Sequence, residues 1–184
     1  MENKKRLVCP MGVAGLLDSK FRKIFHNPNK ILKPFIAKNI TALDIGCGPG
    51  VFSIEIAKLL EGTGKVICVD MQEGMLEIIK NKISGTSIEQ TITLHKCTQE
   101  NICMKENVDF VLMFYMVHEV PSKENLFKDV LPLVNKNGLL MIVEPGIISA
   151  KEFNGITDII EQYGFIKHEK LKITFSKGMV FKKL

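Results

Sequence analysis

Short apolar runs alternate with amphipathic stretches from residue 40 to the end of the chain. Runs rich in β-branched and aliphatic side chains predict buried strands, and apolar residues at helical spacing predict helices between them. The predicted strands cover residues 40–45, 65–69, 91–96, 108–114, 139–143, 171–175 and 179–183. The predicted helices cover residues 51–61, 75–83, 123–134 and 148–163, with a distortion at Pro132.

This alternation indicates an α/β fold in which a parallel sheet is covered by helices on both faces. The last two predicted strands are different, because only a short turn at residues 176–178 separates them. Strands joined by so short a turn must be antiparallel. We therefore expect a doubly wound, mostly parallel sheet that ends in an antiparallel hairpin.

The first forty residues lack this alternation. They carry turn signals and two short helix candidates, at residues 16–25 and 29–37. We expect one domain over residues 1–184, with its core at 39–184 and a helical lead-in at 1–38. The lead-in has too many apolar residues for a solvated tail. It is therefore either a lid over the site or a helix packed permanently on the edge of the sheet.

Composition narrows the class of protein. The hydrophobic fraction is 46% over 184 residues, which is enough for one substantial core. No apolar run approaches the ~20 residues of a membrane span, and the basic N-terminus followed by a stretch broken at Pro10 is a poor signal peptide. We therefore expect a cytoplasmic protein. The five cysteines form no C-x-x-C pair and the four histidines are scattered, so neither a disulfide framework nor a metal site is expected.

The net charge of +5 comes from lysines spread along the chain, which is typical of a solvated surface. A nucleic-acid footprint would need a denser basic stripe with interleaved aromatic residues. This chain has no Trp and only two Tyr. The sequence therefore disfavours nucleic acid as a partner.

The first predicted strand runs into a glycine-rich loop, Asp44-Ile-Gly46-Cys47-Gly48-Pro-Gly50. In such sheets ligands bind at the carboxyl ends of the strands, and glycines let the backbone approach them closely. A dinucleotide site requires G-x-G-x-x-G, but the third glycine is replaced by Val51. Asp44 would repel a pyrophosphate and attract an ammonium group. S-adenosylmethionine carries an ammonium and a sulfonium group and no phosphate, so it fits the loop better than NAD does.

Asp70 ends the second predicted strand, where its carboxylate could accept both ribose hydroxyls of a nucleoside cofactor. NAD enzymes use the same device, so Asp70 alone does not discriminate between the two cofactors. The alternative is that Asp70 serves as the N-cap of the following helix.

Four segments resemble the successive motifs of class I S-adenosylmethionine-dependent methyltransferases. They are A-L-D-I-G-C-G-P-G-V-F-S at 42–53, V-D-M-Q-E-G-M-L at 69–76, D-F-V-L-M-F-Y-M-V-H-E-V-P at 109–121 and N-G-L-L-M-I-V-E-P at 137–145. The resemblance extends over roughly residues 30–184 and is greatest to the ubiquinone/menaquinone-biosynthesis type. It implies a Rossmann-like sheet of seven strands in which the last strand is antiparallel.

The resemblance also implies which residues hold the cofactor. Asp44 and the glycine loop would bind the methionine portion, Asp70 would bind the ribose, and Met71 would flank the adenine. The family often places an acidic residue against the adenine amino group, and Thr98 stands there instead, next to Gln99. The full predicted set is Asp44, Gly46, Cys47, Gly48, Gly50, Asp70, Met71, Thr98, Gln99 and Phe114.

Methyl transfer needs little covalent help, because the methyl group is already activated. The enzyme holds the acceptor in line and excludes water, and a base is needed only when the nucleophile carries a proton. His118 is the best candidate base, and Tyr115 is a second catalytic candidate at the end of the same strand. His118 could instead cap a helix or hydrogen-bond the loop. Glu144 reaches the same crevice, in either a substrate-binding or a loop-stabilising role.

Three functions remain open on the sequence alone. The leading one is methyl transfer to a small-molecule acceptor, because no large insertion that could dock a macromolecule follows the fourth or fifth strand. The second is an NAD(P)-binding oxidoreductase, which Asp44 and Val51 oppose. The third is a non-catalytic cofactor-binding subunit that needs a partner. A homodimer is compatible with the sequence, which identifies neither the acceptor nor the atom that is methylated.

Overall fold

The computed structural model describes residues 27–184, which form a seven-stranded sheet flanked by helices. The elements are α1 Pro28–Leu32, β1 Thr41–Ile45, α2 Val51–Leu60, β2 Lys65–Asp70, α3 Glu73–Ile83, β3 Ile92–Lys96, β4 Val108–Phe114, α4 Lys123–Val130, β5 Val134–Pro145, α5 Ala150–Gln162, β6 Phe165–Leu171 and β7 Ser176–Lys183. The strand order is β3-β2-β1-β4-β5-β7-β6. Strands β1 to β5 pair in parallel, and β7 runs antiparallel to both β5 and β6.

Two apolar cores lie on opposite faces of this sheet, because successive residues of a strand point to opposite sides. Leu43 of β1 packs in one core with Phe127 of α4 and Ile156 of α5. Ala42 packs in the other core with α2 and with Ile79 of α3. Helices therefore cover both faces, and the predicted doubly wound sheet with antiparallel C-terminal strands is confirmed.

The order of the strands reverses at the centre of the sheet. After β1 the chain moves outward through β2 and β3, and it then returns to place β4 on the other side of β1. The loops that follow β1 and β4 diverge at this point and leave a crevice, which is where ligands of open α/β sheets bind. The topology therefore brings the loop after β1 together with the residues that follow β4.

The start predicted for the fifth strand is wrong. β5 begins at Val134 rather than residue 139, and Asn137 takes a left-handed φ of 65° within the strand. The β4–β5 pairing shifts register in this region, where Val108 pairs with Val134 and Phe110 with Leu139, so residues 135–138 are accommodated within the strand. The preceding helix is correspondingly shorter than predicted, because the chain tightens at Pro132 into a 3-10 turn over Leu131–Leu133.

The predicted C-terminal hairpin is antiparallel, as expected, but its turn lies earlier than predicted. β6 covers Phe165–Leu171, and the connection runs through residues 172–175. Gly178, expected in the turn, lies inside β7 opposite Val143 of β5 and Leu171 of β6. Pairing on both sides of β7 therefore outweighs the turn propensity of the Ser-Lys-Gly segment.

The lead-in is described only from Asn27 onward. There Asn27 caps the N-terminus of α1, and its side chain accepts the backbone N–H of Lys30. The helix ends at Leu32, well before the predicted residue 37. The predicted helix at 16–25, and the choice between a lid and a packed helix, lie outside the described residues and stay predictions. Within residues 27–184 no helix has the length and apolar character needed to cross a membrane.

Lys183, the last residue of β7, stabilises the region just after α4. Its Nζ donates to the carbonyl oxygens of Leu131 at 3.0 Å, Pro132 at 3.4 Å and Val134 at 2.6 Å. Carbonyls at a helix end lack partners within the helix. We expect Lys183→Met to lower the free energy of unfolding by about 1–2 kcal/mol, because bonds to a charged donor contribute ~1.5–3 kcal/mol and these carbonyls retain some access to water.

Denaturant unfolding, followed by circular dichroism, measures this loss. Lys182→Met at the preceding position is the control, and we expect it to change the free energy of unfolding by less than about 0.5 kcal/mol. Equal losses in the two variants would contradict a specific role for Lys183.

Candidate active site

The glycine loop between β1 and α2 is fastened to β2. The backbone N–H groups of Gly46 and Cys47 both donate to the carbonyl oxygen of Val69, at 2.8 and 3.1 Å. The three glycines of the loop have φ between 52° and 82°, a region that disfavours side chains. A Cβ added to Gly46 would lie 2.9 Å from the Cβ of Met116, which follows β4. The loop thus forms a cradle that a side chain would fill.

Asp44 lies beneath this loop and is 2% exposed. The hydroxyl of Ser53 in α2 donates to its Oδ2 at 2.5 Å. The pKa of Asp44 is raised to about 7, mainly by burial, with a smaller contribution from the neighbouring Asp70 carboxylate, and the hydrogen bonds from Ser53 oppose the rise. A buried carboxyl with a raised pKa gains most when a cation is placed beside it. The ammonium group of S-adenosylmethionine is a cation of this kind.

Asp70 ends β2 and joins the loop to the next helix. Its Oδ2 accepts the backbone N–H of Gly48 at 2.9 Å, and its Oδ1 accepts that of Gln72 at 2.8 Å. The N-cap of α3 is Gln72 and not Asp70, so the alternative N-cap role is wrong. Burial raises the pKa of Asp70, while the backbone hydrogen bonds oppose this. Each carboxylate oxygen has a second lone pair, so Asp70 can still accept ribose hydroxyls.

The side chains predicted to surround the adenine lie beyond Asp70. Met71 is 37% exposed, so its thioether side chain is accessible for the predicted contact with the adenine ring. The hydroxyl of Thr98 donates to the carbonyl oxygen of Asn101 at 3.2 Å and accepts the Asn101 N–H at 3.1 Å. Thr98 therefore closes a local turn. Glu100 also lines this part of the cavity. The sequence alone did not predict a place in the site for Glu100.

Aromatic side chains form the wall at the end of β4. The ring of Phe114 stacks on that of Phe52, with centroids 4.1 Å apart and an interplanar angle of 28°. Tyr115 has a left-handed φ of 60°, and its hydroxyl lies 2.5 Å from the Oγ of Ser176 in β7. Phe52 was missed because its position in α2 looks like an ordinary core residue. Its place in the first turn of the helix that follows the glycine loop was the available signal.

His118 follows β4 and lies against Glu144, near the end of β5. His118 Nδ1 and Glu144 Oε2 are 2.6 Å apart, and Glu144 is fully buried. On the other side of the ring, Nε2 lies 3.8 Å from Oε1 of Glu119. The hydrogen bond to Glu144 and the charges of nearby carboxylates raise the pKa of His118, which burial alone would lower.

A cavity of about 960 Å³ brings these groups together. Pockets for small molecules measure about 300–1,000 Å³. Its lining includes Asp44, Gly46, Cys47, Gly48, Asp70, Met71, Thr98, Gln99, Phe114, Tyr115 and His118. Gly50 lies behind the lining, where an added Cβ would be 2.7 Å from Cγ1 of Ile79. Gly50 therefore allows α2 and α3 to pack closely. Within the described residues no cluster of metal-ligating side chains occurs.

The chain matches a known family over most of the described residues. A family model described as "Methyltransferase domain" matches residues 36–176. The chain belongs to this family. The predicted S-adenosylmethionine cofactor and class I methyltransferase fold are thereby confirmed, and the dinucleotide alternative is wrong.

Curated relatives and a solved structure agree with this assignment. A demethylmenaquinone methyltransferase of Oceanobacillus iheyensis is 29% identical over 104 residues, which cover 56% of this chain and 44% of the relative. The ubiquinone/menaquinone biosynthesis C-methyltransferase UbiE of Haemophilus ducreyi is 24% identical over 89% of this chain and 66% of its own length. The chain thus spans between about half and two thirds of these relatives. The crystal structure of a SAM dependent methyltransferase from Aquifex aeolicus has a TM-score of 0.85, with 21% identity, and covers 96% of this chain and all of its own.

The raised pKa of Asp44 predicts pH-dependent cofactor binding. Below a pKa of about 7 the carboxyl of the free protein is mainly protonated and cannot pair with an ammonium group. We expect the affinity for S-adenosylmethionine to rise several-fold as the pH increases from about 5.5 to about 7. In the free protein the free energy of unfolding changes in the opposite direction, because the unfolded chain loses this proton first, near pH 4.

Calorimetry at a series of pH values measures the dependence. Asp44→Asn keeps the shape of the side chain and an oxygen that can accept from Ser53, but it cannot ionise. We expect this variant to bind S-adenosylmethionine weakly and with little pH dependence between about 5.5 and about 7. The same pH dependence in both proteins would assign the titration to another group.

Proposed function

We propose that this chain transfers the methyl group of S-adenosylmethionine to a small-molecule acceptor, with His118 as the general base. The observation that carries the proposal is one continuous cavity. Its walls extend from Asp44 and Asp70, at the cofactor end, to His118 after β4. An acceptor in this cavity would lie between the cofactor and the base, in the arrangement that proton removal during methyl transfer requires.

Different parts of the cavity would bind the cofactor, exclude water and remove a proton from the acceptor. Bound S-adenosylmethionine would supply an activated methyl group on its sulfonium. Asp44 would hold the ammonium group and Asp70 the ribose, while Asp70 keeps the loop in place through the N–H of Gly48. The stacked rings of Phe52 and Phe114 would exclude water from one wall. His118 would take the proton that the acceptor atom loses as its bond to the methyl carbon forms and the sulfur–methyl bond breaks, which would leave S-adenosylhomocysteine.

The charge of the cavity supports a small acceptor that carries no phosphate. In the part of the chain that the structure describes, no Lys or Arg lines the cavity. Its acidic lining residues are Asp44, Asp70, Glu100, Glu119 and Asp129. Binding of a nucleic acid depends on basic groups that neutralise its phosphates. We therefore infer that the acceptor is neutral or cationic and is not a nucleic acid.

The names of the relatives are compatible with this inference. Two of them are named for demethylmenaquinone and for ubiquinone and menaquinone biosynthesis. Those proteins are longer than this chain, so we do not transfer their acceptors to it. The proposal is restricted to a small molecule whose reacting atom carries a proton.

Transfer of labelled methyl groups tests the proposal. The full chain is incubated with methyl-labelled S-adenosylmethionine and a cell extract separated into small-molecule, protein and RNA fractions. We expect label in the small-molecule fraction, and we expect His118→Gln to bind the cofactor normally but transfer at least tenfold more slowly. Label confined to RNA or protein would overturn the proposal. Cofactor binding without any transfer would favour the non-catalytic subunit.

A further inference from the structure

Glu144 is a buried acid that takes no part in lining the cavity. It lies in β5 next to Pro145, and its side chain is 0% exposed. Removing a carboxylate from water is costly unless hydrogen bonds compensate for the loss of solvation. The partners of Glu144 therefore indicate what the buried charge does.

The Glu144 carboxylate accepts its hydrogen bonds from the segment that follows β4. Its Oε1 accepts the backbone N–H of Val117 at 3.0 Å. Its Oε2 accepts the backbone N–H of His118 at 3.3 Å and lies 2.6 Å from Nδ1 of the same residue. The carboxylate thus holds both the backbone and the ring of His118. A side chain that only stabilised the loop would not need to contact the ring.

An ionised carboxylate can only accept hydrogen bonds, so the proton of a neutral His118 ring must be on Nδ1. The lone pair is then on Nε2, at the side of the ring that faces away from Glu144. This assignment follows from the hydrogen-bond partners. His118 lines the cavity and Glu144 does not, so Nε2 is the nitrogen that an acceptor can reach.

We propose that Glu144 is a positioning residue, which fixes His118 in the tautomer that leaves Nε2 free to take a proton from the acceptor. The inference rests on the proposed function, because it assigns the tautomer of the base in that reaction. It requires an acceptor atom that carries a proton, such as a hydroxyl oxygen or a protonated amine. The proton moves to Nε2, and the resulting imidazolium is stabilised by the Glu144 charge.

Three carboxylates raise the pKa of the His118 ring. Glu144 bonds to Nδ1, Glu119 lies 3.8 Å from Nε2, and Glu152 of α5 acts from farther away. Lys123 of α4 is paired with Glu152 at 3.4 Å, which reduces the influence of that carboxylate. The three charges together favour the imidazolium, whereas partial burial of the ring opposes it. The hydrogen bond to Glu144 has the largest effect on the pKa of His118.

A Glu144→Gln variant tests the tautomer directly. With its oxygen on the Val117 side, the Gln side chain keeps the hydrogen bond from Val117 and gives up the one from the His118 backbone N–H, and its NH2 group donates to Nδ1 of His118. That donation would move the ring proton to Nε2 and remove the lone pair from the cavity side. In Ser-His-Asp triads the analogous exchange of Asp for Asn leaves the geometry intact but gives the histidine the wrong tautomer.

Nitrogen-15 NMR of the histidine rings in the full chain measures both the tautomer and the pKa, without any acceptor. In the wild type we expect the Nδ1–H tautomer and a pKa above the ordinary value of about 6.5. In Glu144→Gln we expect the Nε2–H tautomer and a pKa at or below that value. Glu119→Gln is the matched control, since it removes a charge near the ring without replacing the bond to Nδ1, and it should keep the wild-type tautomer.

The wild-type spectrum by itself can overturn the proposal, even if Glu144→Gln does not fold. An Nε2–H tautomer in the wild type would do so, and so would an unchanged tautomer and pKa in a folded Glu144→Gln. We expect the affinity of this variant for S-adenosylmethionine to stay within threefold of the wild type. Failure of methyl transfer with the predicted NMR result would instead reject the proposed function and leave the tautomer assignment intact.

Discussion

A Gly46→Val variant is expected to fold but to lose at least a hundredfold in affinity for S-adenosylmethionine. Gly46 has a φ of 68°, and its added Cβ would lie 2.9 Å from Cβ and 3.1 Å from Cγ of Met116. A left-handed conformation costs a side-chain-bearing residue about 1–2 kcal/mol, and relief of the contact would displace Met116 within the cavity. A hundredfold loss corresponds to about 2.7 kcal/mol. Isothermal calorimetry measures the affinity, and circular dichroism reports folding.

Gly85→Val separates the backbone effect from the effect on the site. Gly85 has a φ of 72°, and a Cβ there would meet nothing within 4 Å. It lies after α3 and outside the cavity lining. We expect this control to lose stability but to bind S-adenosylmethionine normally. Normal binding by Gly46→Val, or similar losses of affinity in both variants, would show that the cofactor does not depend on this cradle.

An Asp70→Ala variant is expected to bind S-adenosylmethionine at least tenfold more weakly. The substitution removes the proposed acceptor for the ribose hydroxyls and also the acceptor for the N–H groups of Gly48 and Gln72. Hydrogen bonds to a charged group contribute ~1.5–3 kcal/mol, so the loss of one of them already reduces affinity about tenfold. The same calorimetric titration measures the change.

Asp109 offers a matched control for Asp70. Its Oδ2 accepts the backbone N–H of Thr41 at 2.9 Å, and its Oδ1 accepts from the side chain of Asn135 at 2.7 Å. It lies near the start of β4, at the opposite end of the sheet from the cavity. We expect Asp109→Ala to lower stability without changing cofactor affinity. An unchanged dissociation constant in Asp70→Ala would mean that Asp70 serves the loop and not the ribose.

Several features of the site could be predicted because neighbouring residues create them. A loop with three glycines in five residues must turn sharply, whatever surrounds it. Parallel strands end at the same edge of a sheet, so Asp44 and Asp70 had to lie near each other once the strands were recognised. The residues predicted to line the cavity were identified from these two features, the glycine-rich loop and the shared edge of the strand ends. The role of Gly50 did not follow from them, because its close contact with Ile79 arises only from the packing of α2 against α3.

The relation between His118 and Glu144 depends on a contact that sequence spacing does not reveal. The two residues are 26 positions apart, and β4 and β5 bring them together by parallel pairing. The sequence places each at a strand end, but the register of β5 decides whether their side chains meet. The extension of β5 back to Val134 was not predicted, because Asn137 and Gly138 have the composition of a turn.

Local chemistry by itself determined the strand–helix alternation, the glycine loop, the acidic strand ends and hence the class of cofactor. These depend on periodicity, backbone freedom and charge within a few residues of the chain. Only the tertiary structure decided the hydrogen bond from Gly48 to Asp70, the stack of Phe52 on Phe114, the contact of His118 with Glu144 and the placement of Gly178 inside β7. Each of these is a contact between residues far apart in the chain, and its free energy exists only after the sheet has aligned them.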